Sequence, residues 1–323
     1  MRVQMDPVTR SSAVDLIRIA LAEDLGERGD LTSDSTIEES RQATVNIVSR
    51  QSGVLCGGPL IATVFDELQR RRSQNEQVGE KSSSVTSQTR NSATEKQQTP
   101  EVKTRLRSHD GDTLEPGQVI ASASGPVRLL LAGERTILNF LIHLSGIASR
   151  TALFVEKTHG TRAVILDTRK TLPGYRLLHK YAVRCGGGTN HRMGLFDGIL
   201  IKDNHLAARS DRDVSSAVAD ARKHLQGLKV HIPIEIEVDT LEQLQDALRE
   251  SPEIVLLDNM TPDLLSKAIA IRDEQAPETK LEASGGINLD NVRQIAQTGV
   301  DRISIGGLTH SSPALDLGFD WAW

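Results

Sequence analysis

The sequence predicts an α/β protein in two parts, a small N-terminal α+β domain followed by a β/α barrel. Three observations predict it. From about residue 160, six short β-rich runs each end in polar residues and alternate with helical or irregular stretches, at spacings of roughly 20 to 35 residues. Ahead of them, alternating runs joined by tight-turn signals read as a small sheet. No G-x-G-x-x-G follows the first strand of the repeat, which disfavours the alternative, a doubly wound open sheet.

The elements follow in order. Ser12 and Asp15 have the spacing of a helix-capping pair, Leu16, Ile17, Ala20 and Leu21 form an apolar stripe, and Gly26 can end the helix. Ala43 to Ser49 and Gly53 to Cys56 are β-biased, and Leu60 to Leu68 reads as a helix. Gln69 to Thr99 is different. Of its 31 residues 18 are Ser, Thr, Asn or Gln, and Val78 and Val85 are its only aliphatics beyond alanine. Such a segment buries too little apolar surface to offset the entropy of ordering, so a disordered loop is expected there. Val102 to Arg107 and Gln118 to Ala123 resume the strand pattern around turn signals at His109-Asp110-Gly111-Asp112 and Glu115-Pro116-Gly117, and Glu134 to Ile147 is a long apolar helix. The repeating strands are Ala163 to Leu166, Gly198 to Ile201, Ile232 to Val238, Ile254 to Leu257, Leu281 to Ala283 and Arg302 to Ile305. Thr240 with Gln243, and Thr261 before Pro262, mark helix starts between them.

Composition narrows the function. The chain has 323 residues, 38% hydrophobic and 25% charged, enough for one large or two medium cores. A net charge of −5 and 3% aromatics offer neither a field nor stacking platforms for nucleic acid, and no attraction to anionic lipid. Neither nucleic acid nor a membrane is expected as a partner. Cys56 and Cys185 lack zinc or disulfide spacing, which suits a reducing compartment. Between Arg2 and Arg10 there is no apolar core, and the apolar runs elsewhere read as too short for a membrane span. Cytoplasmic location is the default, with a short transit peptide left open.

The catalytic face of such a barrel lies at the C-terminal ends of its strands. Arg169, Lys170, Lys202, Glu237, Asp258, Ser284, Gly285, Gly286 and Gly306 all fall there. Any one alone is an ordinary loop residue. Together, cations around an anion-sized space with two carboxylates suit a polyanion whose charge is partly carried by a divalent metal. Ser284-Gly285-Gly286 and Gly306-Gly307 would let backbone N–H groups approach a phosphate, although either pair alone could be plain turn glycine. Glu237 and Asp258 are oxygen ligands suited to Mg²⁺; Glu235 shares the parity of Glu237, so spacing does not say which one reaches the site. Tyr181 to Leu195, with three consecutive glycines, reads as a loop across the barrel mouth that offers His191 and Arg192 to a ligand.

Six stretches carry a resemblance: LAEDLGERGDLTS (21–33), GERTILNFLIHLSGIA (133–148), DTRKTLPGYR (167–176), RCGGGTNHRMGLFD (184–197), IKDNH (201–205) and GGLTHSSPALD (306–316). In this order they resemble the quinolinate phosphoribosyltransferases. The resemblance implies a type II phosphoribosyltransferase fold. An N-terminal α/β sandwich domain (1–138, interrupted by the insert) precedes an incomplete α/β barrel (139–310), and a C-terminal segment (311–323) returns to the first domain. It implies conversion of quinolinate and phosphoribosyl pyrophosphate to nicotinate mononucleotide, pyrophosphate and CO₂ in de novo NAD synthesis, with Mg²⁺ and no organic cofactor. It also implies a homodimer or higher oligomer with shared active sites. Carried over by motif, Arg135 would reach into the partner's site. Arg169, His191 and Arg192 would form the dicarboxylate pocket, with Thr168 among the substrate-binding residues. Lys170 and Lys202 would neutralise pyrophosphate, Glu237 and Asp258 would hold the metal-bound pyrophosphoribose, and Ser284, Gly285, Gly286 and Gly306 would cradle the 5′-phosphate. Leu172, Tyr175 and His179 stand where the family usually has Thr, Leu and Glu, departures that could tune the mouth of the pocket without removing a charge the mechanism needs. Rival readings are a paralogous enzyme for another aromatic acid, a Schiff-base lyase using Lys170 or Lys202, and a non-catalytic phosphate-ligand sensor.

Overall fold

The computed structural model describes residues 3–83, 101–210 and 213–322, with side chains of the helix ending at residue 83 described only as far as residue 74. The chain divides into two compact units, Met1–Ala148 with Pro313–Trp323, and Ser149–Ser312.

In the first unit, α1 (Pro7–Leu25) starts earlier than Ser12 suggests. Asp6 caps it, its carboxylate accepting the Thr9 N–H at 2.9 Å, and Pro7 occupies the first turn, where a missing N–H costs nothing. Ser12 and Asp15 therefore lie inside the helix. Its buried stripe is Ala13, Ile17 and Leu21, and Gly26, at φ 50°, ends it. Next come α2 (Leu31–Thr36), β1 (Gln42–Ser49), β2 (Gly53–Val54) and α3 (Leu60–Ser83). After them are β3 (Lys103–Leu106), β4 (Thr113–Leu114), β5 (Val119–Pro126) and α4 (Val127–Lys157). An antiparallel sheet runs in the order β12-β1-β5-β3, where β12 (Leu317–Ala322) is the chain's final strand, paired with β1 from Thr44↔Ala322 to Ser49↔Leu317. The C-terminal segment reaches it by crossing α4 at Gly146, where a Cβ would stand 2.1 Å from the Pro313 carbonyl oxygen. Only glycine fits that crossing.

Two expectations are corrected here. The loop expected from Gln69 is instead the continuation of α3 as far as Ser83, and residues 84–99 lie outside the described residues. Local anchors outweigh composition. Gln69 Oε1 accepts the Val102 N–H at 2.9 Å, Arg70 pairs with Glu67 at 2.7 Å, and Arg71 donates to the Gly26 carbonyl. Second, α4 is long and apolar enough to cross a membrane by length and composition. Its most apolar window is 61% buried within the protein, with Ile137, Leu141 and Leu144 in the core, which is the burial of a core helix.

The second unit holds β6 (Val164–Leu166), α5 (Arg176–Cys185), β7 (Ile199–Ile201), α6 (Asp203–Ala208), α7 (Val214–Leu228) and β8 (Ile234–Val238). It continues with α8 (Leu241–Leu248), β9 (Ile254–Asp258), α9 (Pro262–Gln275), β10 (Lys280–Ser284), α10 (Val292–Gln297), β11 (Arg302–Ser304) and α11 (Gly307–His310). Thr240 with Gln243 forms a reciprocal capping box at α8, and Thr261 caps α9 ahead of Pro262. The six strands pair in parallel in the order β6-β11-β10-β9-β8-β7. A closed barrel would pair β6 with β7. Instead Thr189 runs beside β6, its N–H donating to the Ile165 carbonyl at 2.8 Å, so the barrel is incomplete at this seam. The expected loop from Tyr181 is also corrected. Residues 181–185 finish α5, and Leu178, Tyr181, Ala182 and Val183 are buried, so the loop proper starts at Gly186.

Candidate active site

A cleft of about 830 Å³ opens at the C-terminal ends of the parallel strands. Every candidate residue except Arg135 lines it. Thr168, Arg169 and Lys170 follow β6, His191 and Arg192 come from the loop after α5, and Lys202 follows β7. Glu237 and Asp258 lie on β8 and β9; Ser284, Gly285 and Gly286 close β10, and Gly306 follows β11. Arg135 is an exposed residue of α4 in the first unit. Among the lining residues that sequence reasoning gave no role are Asn259 and His310. The closing motif contains His310, and Asn259 follows Asp258 directly, so adjacency was the available signal.

One half of the cleft is backbone and surface charge. Lys202 forms an ion pair with Glu237 while its side chain stays 42% exposed. Asp258 accepts a hydrogen bond from Asn259 Nδ2 at 2.7 Å, and Asn259 holds a left-handed φ of 53°. Gly285, at φ 90°, passes so close that a Cβ would stand 2.2 Å from Asn259 Oδ1. Gly286, at φ 62°, faces open space. A Cβ at Gly306 would come 2.9 Å from Lys170 Cδ, and Thr309 Oγ1 donates to the Lys170 carbonyl at 2.6 Å, so glycine makes room for the lysine stem. Oxygen donors from the neighbouring strands β8 and β9 fit a hard divalent cation that takes its remaining ligands from water and phosphate.

The other half rests on buried charge. His191 Nε2 lies 3.1 Å from Glu235 Oε2 and 3.5 Å from Glu282 Oε1, and Glu282 accepts from Arg302 Nε at 2.7 Å. This settles the question of parity. Glu237 reaches the cleft, and Glu235, two residues earlier and facing the same way, lies beneath it on His191. Burial works against the charged imidazole, but the hydrogen bonds and charges of Glu235 and Glu282 outweigh it and push His191 up to about 9. Glu235 is raised by burial, and Glu282 is lowered because His191 and Arg302 overcome the effect of burial. Arg192 Nη1 donates to the Gly198 carbonyl at 2.8 Å, and its buried Nε has no partner. Burial and the neighbouring Arg169 both disfavour the charge on Arg192, against the opposing pull of Glu235 and Asp197. Arg176, quoted in the 167–176 motif without a role, ties the two carrier loops together, donating to the Met193 carbonyl at 3.1 Å and the Arg169 carbonyl at 3.2 Å. Glu282, Asp167 and Lys180 escaped sequence reasoning. A charged residue inside a short apolar strand was the signal for Glu282.

Comparison with known proteins agrees with this architecture. Family models described as the quinolinate phosphoribosyl transferase C-terminal and N-terminal domains match residues 147–320 and 92–145. A nicotinate-nucleotide pyrophosphorylase [carboxylating] of Mycobacterium leprae (strain TN) is 41% identical over 309 residues, which cover 96% of this chain and 97% of that protein. A probable nicotinate-nucleotide pyrophosphorylase [carboxylating] of Bacillus subtilis (strain 168) is 38% identical over 92% of this chain and 89% of its own. The solved structure of the nicotinate-nucleotide pyrophosphorylase from Francisella tularensis superposes with a TM-score of 0.80 at 33% identity, covering 100% of this chain and 99% of that one. With a family model spanning more than half of its length and relatives matched nearly end to end, the chain belongs to the quinolinate phosphoribosyltransferase family.

Proposed function

We propose that the chain is a decarboxylating phosphoribosyltransferase that joins quinolinate to phosphoribosyl pyrophosphate, giving nicotinate mononucleotide, pyrophosphate and CO₂ for NAD synthesis. The observation that carries this reading is the division of one cleft. A glycine cradle with two lysines and two carboxylates stands on one side, and Arg169, His191 and Arg192 stand on the other. A planar dicarboxylate suits the arginine forks, and the 5′-phosphate suits the N–H groups of Ser284, Gly285, Gly286 and Gly306.

Lys170 and Lys202 meet the pyrophosphate, and a bound phosphate competes with Glu237 for Lys202. Glu237 and Asp258 would hold Mg²⁺, which supplies charge neutralisation for the leaving pyrophosphate. The pyridine nitrogen forms a bond to ribose C1 as the C1–oxygen bond to pyrophosphate breaks. The nitrogen, now cationic, withdraws the electron pair of the adjacent carbon–carboxylate bond; CO₂ leaves, and a proton from solvent replaces it on the ring. Arg135 would complete the acid pocket from a partner subunit, which makes the working unit at least a homodimer. Cys56 and Cys185 are both buried, and two buried cysteines without a disulfide framework suit a cytoplasmic setting.

The test is release of ¹⁴CO₂ from carboxyl-labelled quinolinate by the purified protein, omitting phosphoribosyl pyrophosphate or Mg²⁺ in turn. Release that needs every component is expected. Conversion of nicotinate without CO₂ would reassign the acid, and silence with both acids would overturn the enzymatic reading.

A further inference from the structure

Beneath the acid-binding half lies an ion pair that is not itself part of the cleft lining. Asp167 directly follows β6 and Lys180 sits within α5; both side chains are 0% exposed, and their charged atoms are 2.5 Å apart. Their other hydrogen bonds converge on the loop that carries His191 and Arg192. Asp167 Oδ1 accepts the His191 N–H at 2.9 Å, Lys180 Nζ donates to the His191 carbonyl at 2.8 Å, and Asp167 Oδ2 accepts from Asn190 Nδ2 at 2.6 Å. Asn190 Nδ2 also donates to the Lys180 carbonyl at 2.8 Å. The two peptide groups flanking His191 are thus held from both sides by one pair of charges, and Asp167 is the residue immediately before Thr168 and Arg169.

Stability does not explain such a pair. Burial pushes the Asp167 carboxyl up and the Lys180 ammonium down, opposed in each case chiefly by the other's charge, and buried pairs of this kind are often no more stabilising than apolar residues of equal volume. What an apolar pair could not do is fix a main-chain segment by directed bonds. We infer that Asp167 and Lys180 are positioning residues for the acid-binding half of the cleft, clamping the main chain at His191 so that Arg192 and Arg169 meet the substrate carboxylates in register. The identity of the acid rests on the proposed function; the clamp does not.

The charge-free double variant Asp167→Asn with Lys180→Met tests it, because it removes both charges and leaves neither stranded. Its KM for quinolinate should rise by about tenfold or more while its KM for phosphoribosyl pyrophosphate stays within about threefold, and amide exchange at His191 and Arg192 should quicken by at least about tenfold. A folded double variant with both KM values unchanged, or raised equally, and with wild-type exchange would overturn the clamp. Should it not fold, Asn190→Ala keeps the ion pair and loses only the loop's side-chain tie; the same split is expected at about threefold, and no split overturns the proposal. Absence of quinolinate-dependent CO₂ release by the wild-type chain would sink the functional reading instead, and the exchange measurement would still decide the clamp.

Discussion

The two halves of the cleft grow from the same parallel sheet, yet they hold their charges in opposite ways. On the side proposed for phosphate, Lys202 is 42% exposed beside Glu237, and the lining also takes in Lys170, Asp258 and main chain laid bare at Gly285, Gly286 and Gly306. On the acid side, Asp167, Lys180, Glu235 and Glu282 are all buried, and they support the lining residues rather than line the cleft themselves. The difference suits the ligands proposed for the two halves. A phosphate is a nearly isotropic anion that solvated lysines and a row of N–H groups can follow, whereas a rigid planar dicarboxylate must be met at fixed points by oriented arginines. A buried support costs desolvation but removes freedom from the arginines before substrate arrives.

The largest effect expected from breaking this contrast is at Glu282. Glu282→Gln leaves Arg302 and His191 facing a neutral amide in a fully buried position, and the loss should be about 3 kcal/mol of unfolding free energy in urea. Its pH dependence sharpens the point. Because His191 is raised to about 9 from an ordinary value near 6.5, its ion pairs stabilise the fold in full below pH 6.5, and that contribution disappears as pH rises through about 9. The wild-type loss over this window is at most about 3 kcal/mol, since the Arg192 N–H that lies 2.8 Å from His191 Nδ1 fits the neutral ring and opposes protonation there. The variant should lose distinctly less than the wild type between pH 6 and 9.5. Parallel pH profiles for the two proteins would mean that Glu282 does not hold the charge on His191.

A smaller effect should come from the phosphate half, where the backbone is the functional group. Gly285→Ala forces an L-residue into φ 90° with its Cβ against Asn259 Oδ1, a strain of about 1–3 kcal/mol. The KM for phosphoribosyl pyrophosphate should rise by about tenfold with that for quinolinate unchanged, whereas Gly286→Ala, with open space around its Cβ, should do less. Equal effects on both substrates would mean that the halves are not independent.

The same contrast explains what could be read in the sequence. Residues at the ends of short β-rich runs announced themselves, because a strand that stops in Lys, Asp or Ser-Gly-Gly breaks a local pattern; Lys202, Asp258 and Gly285 were all legible that way. The supports were not. Asp167 looked like one more polar strand end, Lys180 and Tyr181 straddled a helix whose glycine-rich sequel suggested a loop, and Glu282 was masked by the apolar neighbours Leu281 and Ala283. Their roles depend on which strands become neighbours, and that is a property of the closed-up sheet rather than of any window of sequence. The helical continuation of α3 was hidden for a similar reason, since Arg70 and Arg71 find their partners at Glu67 and at the distant Gly26 carbonyl.

The smallest change in stability should follow from the pair that looks most like Asp167–Lys180 on paper. Lys202→Met breaks a lysine–carboxylate ion pair too, but its lysine is 42% exposed, and Glu237, although only 11% exposed, lines the open cleft rather than the interior beneath it. The unfolding free energy should therefore move by less than about 1 kcal/mol. Binding is another matter, because a pyrophosphate oxygen deprived of a charge-assisted partner loses about 1.5–3 kcal/mol, or roughly 10- to 100-fold in affinity for phosphoribosyl pyrophosphate. Urea titration and isothermal calorimetry on the same preparation separate the two quantities. Lys180→Met should give the reverse ratio, a large loss of stability with phosphoribosyl pyrophosphate still bound by any folded fraction, since the stranded Asp167 has no water to turn to. If Lys202→Met instead unfolds the protein, the Lys202–Glu237 pair is structural, and the distinction between a half with partly exposed charges and a half with fully buried ones fails.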